Sequence, residues 1–161
     1  MELFDLDPRQ LPIARLYRVP YEGCMTIYDQ VLGFTARDTR SFYSVDDDIF
    51  VDFGGAVEDH LCWRPTRLSI FISLFANKRH AEYWALKWSA RHNGKLCEVF
   101  EIDAAKLGYY VFDAEELRQG LSLHVPSGAE ASILDEYLVA YEIPRRAIVG
   151  RRSSEDIQRG E

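Results

Sequence analysis

Three polar residues stand inside runs that otherwise read as buried strands. Arg18 lies in Leu16-Tyr17-Arg18-Val19, Ser73 at the centre of Phe71-Ile72-Ser73-Leu74-Phe75, and Glu136 in Asp135-Glu136-Tyr137-Leu138-Val139. A lone polar group on such a strand is costly to bury unless it is paired. Three of them on well-separated strands point to one shared site.

Each residue type narrows the chemistry. A guanidinium at Arg18 needs a carboxylate or phosphate partner, either from a ligand or from an ion pair with Glu136 or another acid. Strand alternation places Glu136 on a face with Leu134, Leu138 and Ala140, so its carboxyl must be hydrogen-bonded or have a raised pKa. An edge strand with one wet face would serve Glu136 equally well on pattern alone. Ser73, between Ile72 and Leu74, could orient a carboxylate or simply bond to backbone.

Other chemistry has weaker support. The histidines His60, His80, His92 and His124 show no ligand spacing beyond His60-x-Cys62, which reads as chance on a helix face. Asp46-Asp47-Asp48 reads as a solvated loop, because sequence neighbours cannot all converge on one ion. No metal is expected. No glycine-rich phosphate loop and no GxSxG elbow occurs. Trp84 and Trp88, one helical turn apart, fit core packing better than a stacking pair for a ligand.

The elements that must position these residues follow from periodicity. Residues 1–12 read as an irregular arm, Ile13 to Val19 as a first strand ended by Pro20, and Tyr21 to Asp48 as aperiodic. Phe50, Phe53, Val57 and Leu61 have helical spacing within Ile49 to Trp63, ahead of Pro65. Leu68 to Phe75 reads as a central strand. Asn77 caps a helix with the stripe Ala81, Trp84, Ala85 and Trp88, stopped near Gly94. Strands are expected at Leu96 to Ile102 and Tyr109 to Phe112, then a short helix from the Asp113/Glu116 capping pair to Gly120. Val125 to Ala131 reads as a loop through Pro126, Ser127 and Gly128, followed by strands at Leu134 to Ile143 and Ala147 to Val149. The tail 151–161 is polar and expected to be disordered. The pattern is α+β: one strand-rich domain over 13–150 with two or three helices.

Bulk properties bound the function. At 161 residues, 47% of them hydrophobic, one domain with a real core is expected. Residues 145–161 hold five arginines against three acids, so the formal charge of −7 leaves about −9 on residues 1–144. That balance disfavours nucleic acid as a partner, since phosphate binding needs clustered cations. Cys24, Cys62 and Cys97 lie 38 and 35 positions apart, which suits free thiols in a reducing compartment. Met1 to Gln10 lacks an apolar run and no stretch reaches the ~20 residues of a membrane span, so a soluble, cytoplasmic domain is expected.

Order and spacing together resemble the Arg-Ser-Glu class of mono-ADP-ribosyltransferases, the cholera-toxin-like enzymes that cut NAD. Leu16-Tyr17-Arg18-Val19 is similar to that class's first strand, and Ser73 precedes Ala81 by eight positions as its serine does. Glu136 precedes Ile143-Pro144 by seven. Gly33-Phe34 through Arg37 resembles the Gly-Leu-x-x-Arg stretch, and Ile148-Val149-Gly150 also has a counterpart. The chain is similar, too, to a set of uncharacterised fungal proteins.

The resemblance implies a split β-sheet core and NAD as substrate. Glu136 would hold the ribose 2′-hydroxyl and stabilise the oxocarbenium-like transition state, as in glycoside cleavage. Arg18, with Ser73 and Arg37, would bind NAD, and Ser73 would fix the glutamate rotamer. The segment Val125 to Ile133 would border the cleft and govern acceptor choice. The histidine-bearing, diphtheria-like branch does not fit Arg18. Leu134 stands where arginine-modifying members carry Glu or Gln, and Leu74-Phe75 replaces the rest of the Ser-Thr-Ser motif. These departures direct transfer to a non-arginine acceptor, an acceptor protein for instance, or to water. The alternative they leave open is a catalytically degenerate module of the same fold that binds or interacts without turnover.

Overall fold

Short strands dominate the chain because apolar runs of four to six residues recur between turn signals. The computed structural model describes residues 1–22, 24, 26–43, 50–62, 68–108 and 110–160, with backbone alone for 50–52. In chain order the elements are β1 (Arg15–Arg18), β2 (Thr26–Asp29), β3 (Gly33–Ala36), α1 (Phe50–Leu61), β4 (Phe71–Phe75), α2 (Lys78–Arg91) and β5 (Glu98–Asp103). They continue with β6 (Val111–Asp113), α3 (Ala114–Gly120), α4 (Ser127–Ile133), β7 (Glu136–Ala140), β8 (Glu142–Pro144), β9 (Ile148–Ser153) and α5 (Ser154–Arg159). The fold is α+β and ADP-ribosyltransferase-like, with five α-helices among the described residues where the sequence pattern gave two or three.

Two antiparallel sheets form the core. A six-stranded sheet runs β6-β7-β4-β1-β5-β9, and a three-stranded one runs β2-β3-β8. Leu16, Ile72, Leu74, Phe100, Ile102 and Val139 fill the space between the sheets with Phe34 and Ile143. The opposite face of the large sheet is covered in two patches. Phe53, Val57, Phe71, Phe112 and Leu138 make one with α1 and α3, while Tyr17, Ala81, Ala85 and Val99 make the other under α2. Ala81 and Ala85 are fully buried, and their small size lets α2 lie close on the sheet.

The middle of the large sheet is forked. β4 pairs with β7 over five positions and β1 with β5 over four, but β1 meets β4 at Tyr17↔Phe75 alone. The halves therefore part beyond that pair, and the fork presents Arg18 from one prong and Ser73 and Glu136 from the other.

Several expectations are corrected by the packing. The expected strand Leu134 to Ile143 is interrupted, because Tyr141 takes a left-handed φ of 70° and lets the chain leave the large sheet at β7 and enter the small one at β8. Leu134 follows α4 in a turn and is exposed, so it shares no strand face with Glu136. Val125 to Ala131 is not a loop throughout, since α4 starts at Ser127 behind Pro126, whose fixed φ suits a helix entrance. The tail is ordered to Gly160. β9 continues through Arg151 and Arg152 beside β5, and Ser153 and Asp156 form a reciprocal capping box for α5. Residues 1–12 pack rather than trail: Met1 is buried, Phe4 stacks on Phe53 and Leu6 bridges Val111. Asp46-Asp47-Asp48, Pro65, Tyr109 and the Ile49 and Trp63 ends of the first expected helix lie outside the described residues. Among the described residues no helix is long and apolar enough to cross a membrane.

Candidate functional site

Ser73 and Glu136 become neighbours through register. Phe75 pairs with Glu136 and Ser73 with Leu138, so Ser73 sits diagonally across from Glu136 on one face. The Ser73 hydroxyl faces the Glu136 carboxyl as a potential donor and acts to lower its pKa. Arg18 reaches the same place from β1. Its Nη1 donates to the Ser73 backbone oxygen at 3.0 Å and its Nη2 to Thr26 Oγ1 at 2.6 Å. All three residues line one cavity of about 520 Å³, with Tyr21, His60 and Trp84 among its walls.

His60, read from sequence as incidental, holds the centre of this arrangement. Phe71 N–H donates to Ser69 Oγ at 3.0 Å, and Ser69 Oγ lies 2.7 Å from His60 Nδ1. His60 Nε2 lies 2.8 Å from Ser73 Oγ. A carboxylate only accepts, so the Ser73 hydroxyl donates to Glu136 and must itself accept from His60 Nε2–H. Ser69 O–H then donates to Nδ1, and the chain of donors runs one way from Phe71 to Glu136. Burial, with the Arg18 charge adding to it, pushes His60 down to about 4, which keeps the ring in the neutral form this relay requires. The available sequence signal was one histidine following Phe53, Ala56 and Val57 on the apolar face of α1.

The electrostatics are unusual for an acid beside an arginine. Burial pushes Glu136 up to about 7, although the Ser73 hydrogen bond and the Arg18 charge both act to lower it. Arg18 makes no ion pair within 4 Å among the described residues, so the expected partnership with Glu136 is not a contact. Its side chain is 7% exposed, and its Nε lacks a hydrogen-bond partner. Burial also depresses the Arg18 pKa. A guanidinium buried with no anion in contact among the described residues is an expensive arrangement.

The remaining expected site residue falls elsewhere. Arg37 follows β3 on the small sheet, is exposed and is not among the cavity walls. Gly128, Ala129, Ser132 and Ile133 of α4 do line the cavity, so the segment expected at the cleft is there as a helix. Trp84 and Trp88 pack beneath β1, with Tyr21 5.1 Å from Trp84, and Trp84 also reaches the cavity wall. No cluster of three or more metal-ligating side chains occurs among the described residues.

Among curated proteins, none matches the chain at a significant level. Of solved structures, it is similar to EcPltA, an ADP-ribosyltransferase toxin, with a TM-score of 0.57 and 12% identity over 88% of this chain and 76% of that one. Identity that low speaks for the fold alone. A family model matches residues 12–157, nearly the whole described domain and well into α5, and the chain belongs to that family, the domain of unknown function DUF7587.

Proposed function

We propose that this chain binds NAD in the forked-sheet cavity and cleaves its nicotinamide–ribose bond, passing ADP-ribose to water or to a non-arginine acceptor. One observation carries the reading: Arg18, Ser73 and Glu136, from three strands, meet at a single cavity large enough for most of a dinucleotide. Among the described residues Arg18 has no anion in contact, and the diphosphate of NAD supplies one. Glu136, with its rotamer held by Ser73 and the His60 relay, takes the ribose 2′-hydroxyl. Its negative charge stabilises the oxocarbenium-like ribose more than the ground state. Arg37, outside the cavity walls, is left without a part in NAD binding.

The test is nicotinamide release from NAD by purified protein against a Glu136→Gln control. Release that is equal in the two would remove Glu136 from the chemistry.

A second reading, a degenerate module that binds without turnover, is favoured by the internal use of Arg18. Two of its N–H groups are already spent on the Ser73 carbonyl and the Thr26 hydroxyl. Calorimetry with NAD separates the readings, because tight binding without nicotinamide release belongs to the second alone.

A further inference from the structure

Any nucleophile that captures the ribosyl cation must lose a proton if it is an alcohol or water, and Glu136 is occupied with the 2′-hydroxyl. The neighbouring residues supply another base. His80, on the first turn of α2, sets its Nδ1 2.9 Å from Asp135 Oδ2 and 3.1 Å from Asp135 Oδ1. Asp135 directly precedes Glu136, and both members of the pair act electrostatically on the Glu136 carboxyl. The His80 ring lies 4.8 Å from that of Phe75, which is a cavity wall and the cross-strand partner of Glu136.

The tautomer follows from these contacts. In the neutral ring the carboxylate accepts from Nδ1–H, which leaves the lone pair on Nε2. No described residue hydrogen-bonds Nε2, and the side chain is 27% exposed; His80 and Asp135 are not themselves cavity walls, and the ring stands behind the wall residue Phe75. The pair is also anchored independently of any ligand: Asn77 Oδ1 caps the His80 N–H, and Ala76 N–H bonds the Asp135 carbonyl.

Resting on the proposed NAD cleavage, we propose that His80, oriented by Asp135, is the general base for the acceptor, and that the acceptor is a neutral hydroxyl, either water or an alcohol. The C1′–N bond breaks and its electron pair leaves with nicotinamide. The hydroxyl oxygen bonds C1′, and its proton passes to His80 Nε2 and on to solvent. A guanidinium acceptor fits poorly, because the Asp135 carboxylate is engaged by His80 and the residue between α4 and Asp135 is the apolar Leu134.

Anion rescue tests this. Nicotinamide release is measured for the wild type, His80→Ala, His80→Gln and Glu136→Gln, with and without azide, and NAD affinity is measured by calorimetry. Azide is a nucleophile that needs no deprotonation. The expected result is about a hundredfold slower release in both His80 variants, NAD affinity within twofold of wild type, and azide restoring release with formation of azido-ADP-ribose. Glu136→Gln is not restored. Unaltered release in the His80 variants, or slow release that azide leaves unchanged, would overturn the assignment while the cleavage reading stands. A wild type that releases no nicotinamide overturns both. Should both His80 variants misfold, the solvent isotope effect on wild-type turnover decides: about twofold supports a base, and unity refutes one.

Discussion

Replacing Glu136 by glutamine should stabilise the fold at neutral and alkaline pH while removing its function. Burial raises the Glu136 pKa from 4.5 to about 7 despite the nearby Arg18 charge. At about 1.4 kcal/mol per tenfold, that rise corresponds to roughly 3 kcal/mol, and the partial exposure of the side chain to the cavity reduces it to about 2 kcal/mol. The sign follows from proton binding. Below about pH 4.5 the carboxyl is protonated in both folded and unfolded chains and adds nothing. As pH rises towards 7 the unfolded chain ionises first, so the penalty on the fold grows, and it is constant above the folded pKa. Glutamine keeps the shape and can still accept from Ser73. Urea titrations should therefore show Glu136→Gln about 2 kcal/mol more stable at pH 8, or about 4–8 °C higher in Tm, with the two proteins matching near pH 4. The same titration predicts wild-type turnover rising through about pH 7 as the carboxylate forms. A glutamine variant that is destabilised, or equally stabilised at both pH values, would refute the claim that Glu136 is held at a cost for its chemistry.

His60→Ala should lower nicotinamide release at least tenfold with a smaller change in NAD affinity, because the relay that aims Ser73 at Glu136 loses its middle member; affinity falling as much as turnover would make His60 a binding residue instead. Exchanging Gly128 to Ser132 for a Gly-Ser linker should change acceptor transfer more than NAD affinity, measured separately, since α4 lines the cavity and runs directly into Glu136 while Arg18 comes from another strand. Ser153→Ala should cost about 1 kcal/mol in urea unfolding through loss of the α5 capping box, whereas a disordered tail would leave stability unchanged.

The central strands were legible because β4 and β7 are nearly continuous apolar runs, and buried strands advertise themselves that way. The cap at Asn77 and the start of α3 at Asp113 were legible for a local reason, since the capping side chain and its N–H partners lie within three residues of each other. β2 and β3 escaped notice because each is four residues long and Thr26 to Asp29 alternates half-buried with exposed positions on a small outer sheet. The tail misled for a similar reason. Arg151 and Arg152 read as solvated, yet they pair with Glu98 and Glu82, which lie 53 and 70 positions away in sequence. Arg18, Ser73 and Glu136 could be named as lone polar groups in apolar strands. Their meeting place depends on the fork between β1 and β4, and the part played by His60 depends on α1 docking over Ser69 and Ser73. Both are long-range consequences of packing that no local pattern encodes.

Arg18, Ser73 and Glu136 are proposed to form an NAD-cleaving site. Quantified nicotinamide release from NAD at pH 8, by wild type and by Glu136→Gln side by side, tests it most directly. Steady release is expected from the wild type and at least a hundredfold less from the folded variant, with NAD still bound by both. Absence of release from a wild type that binds NAD, or equal release from the two, would contradict it.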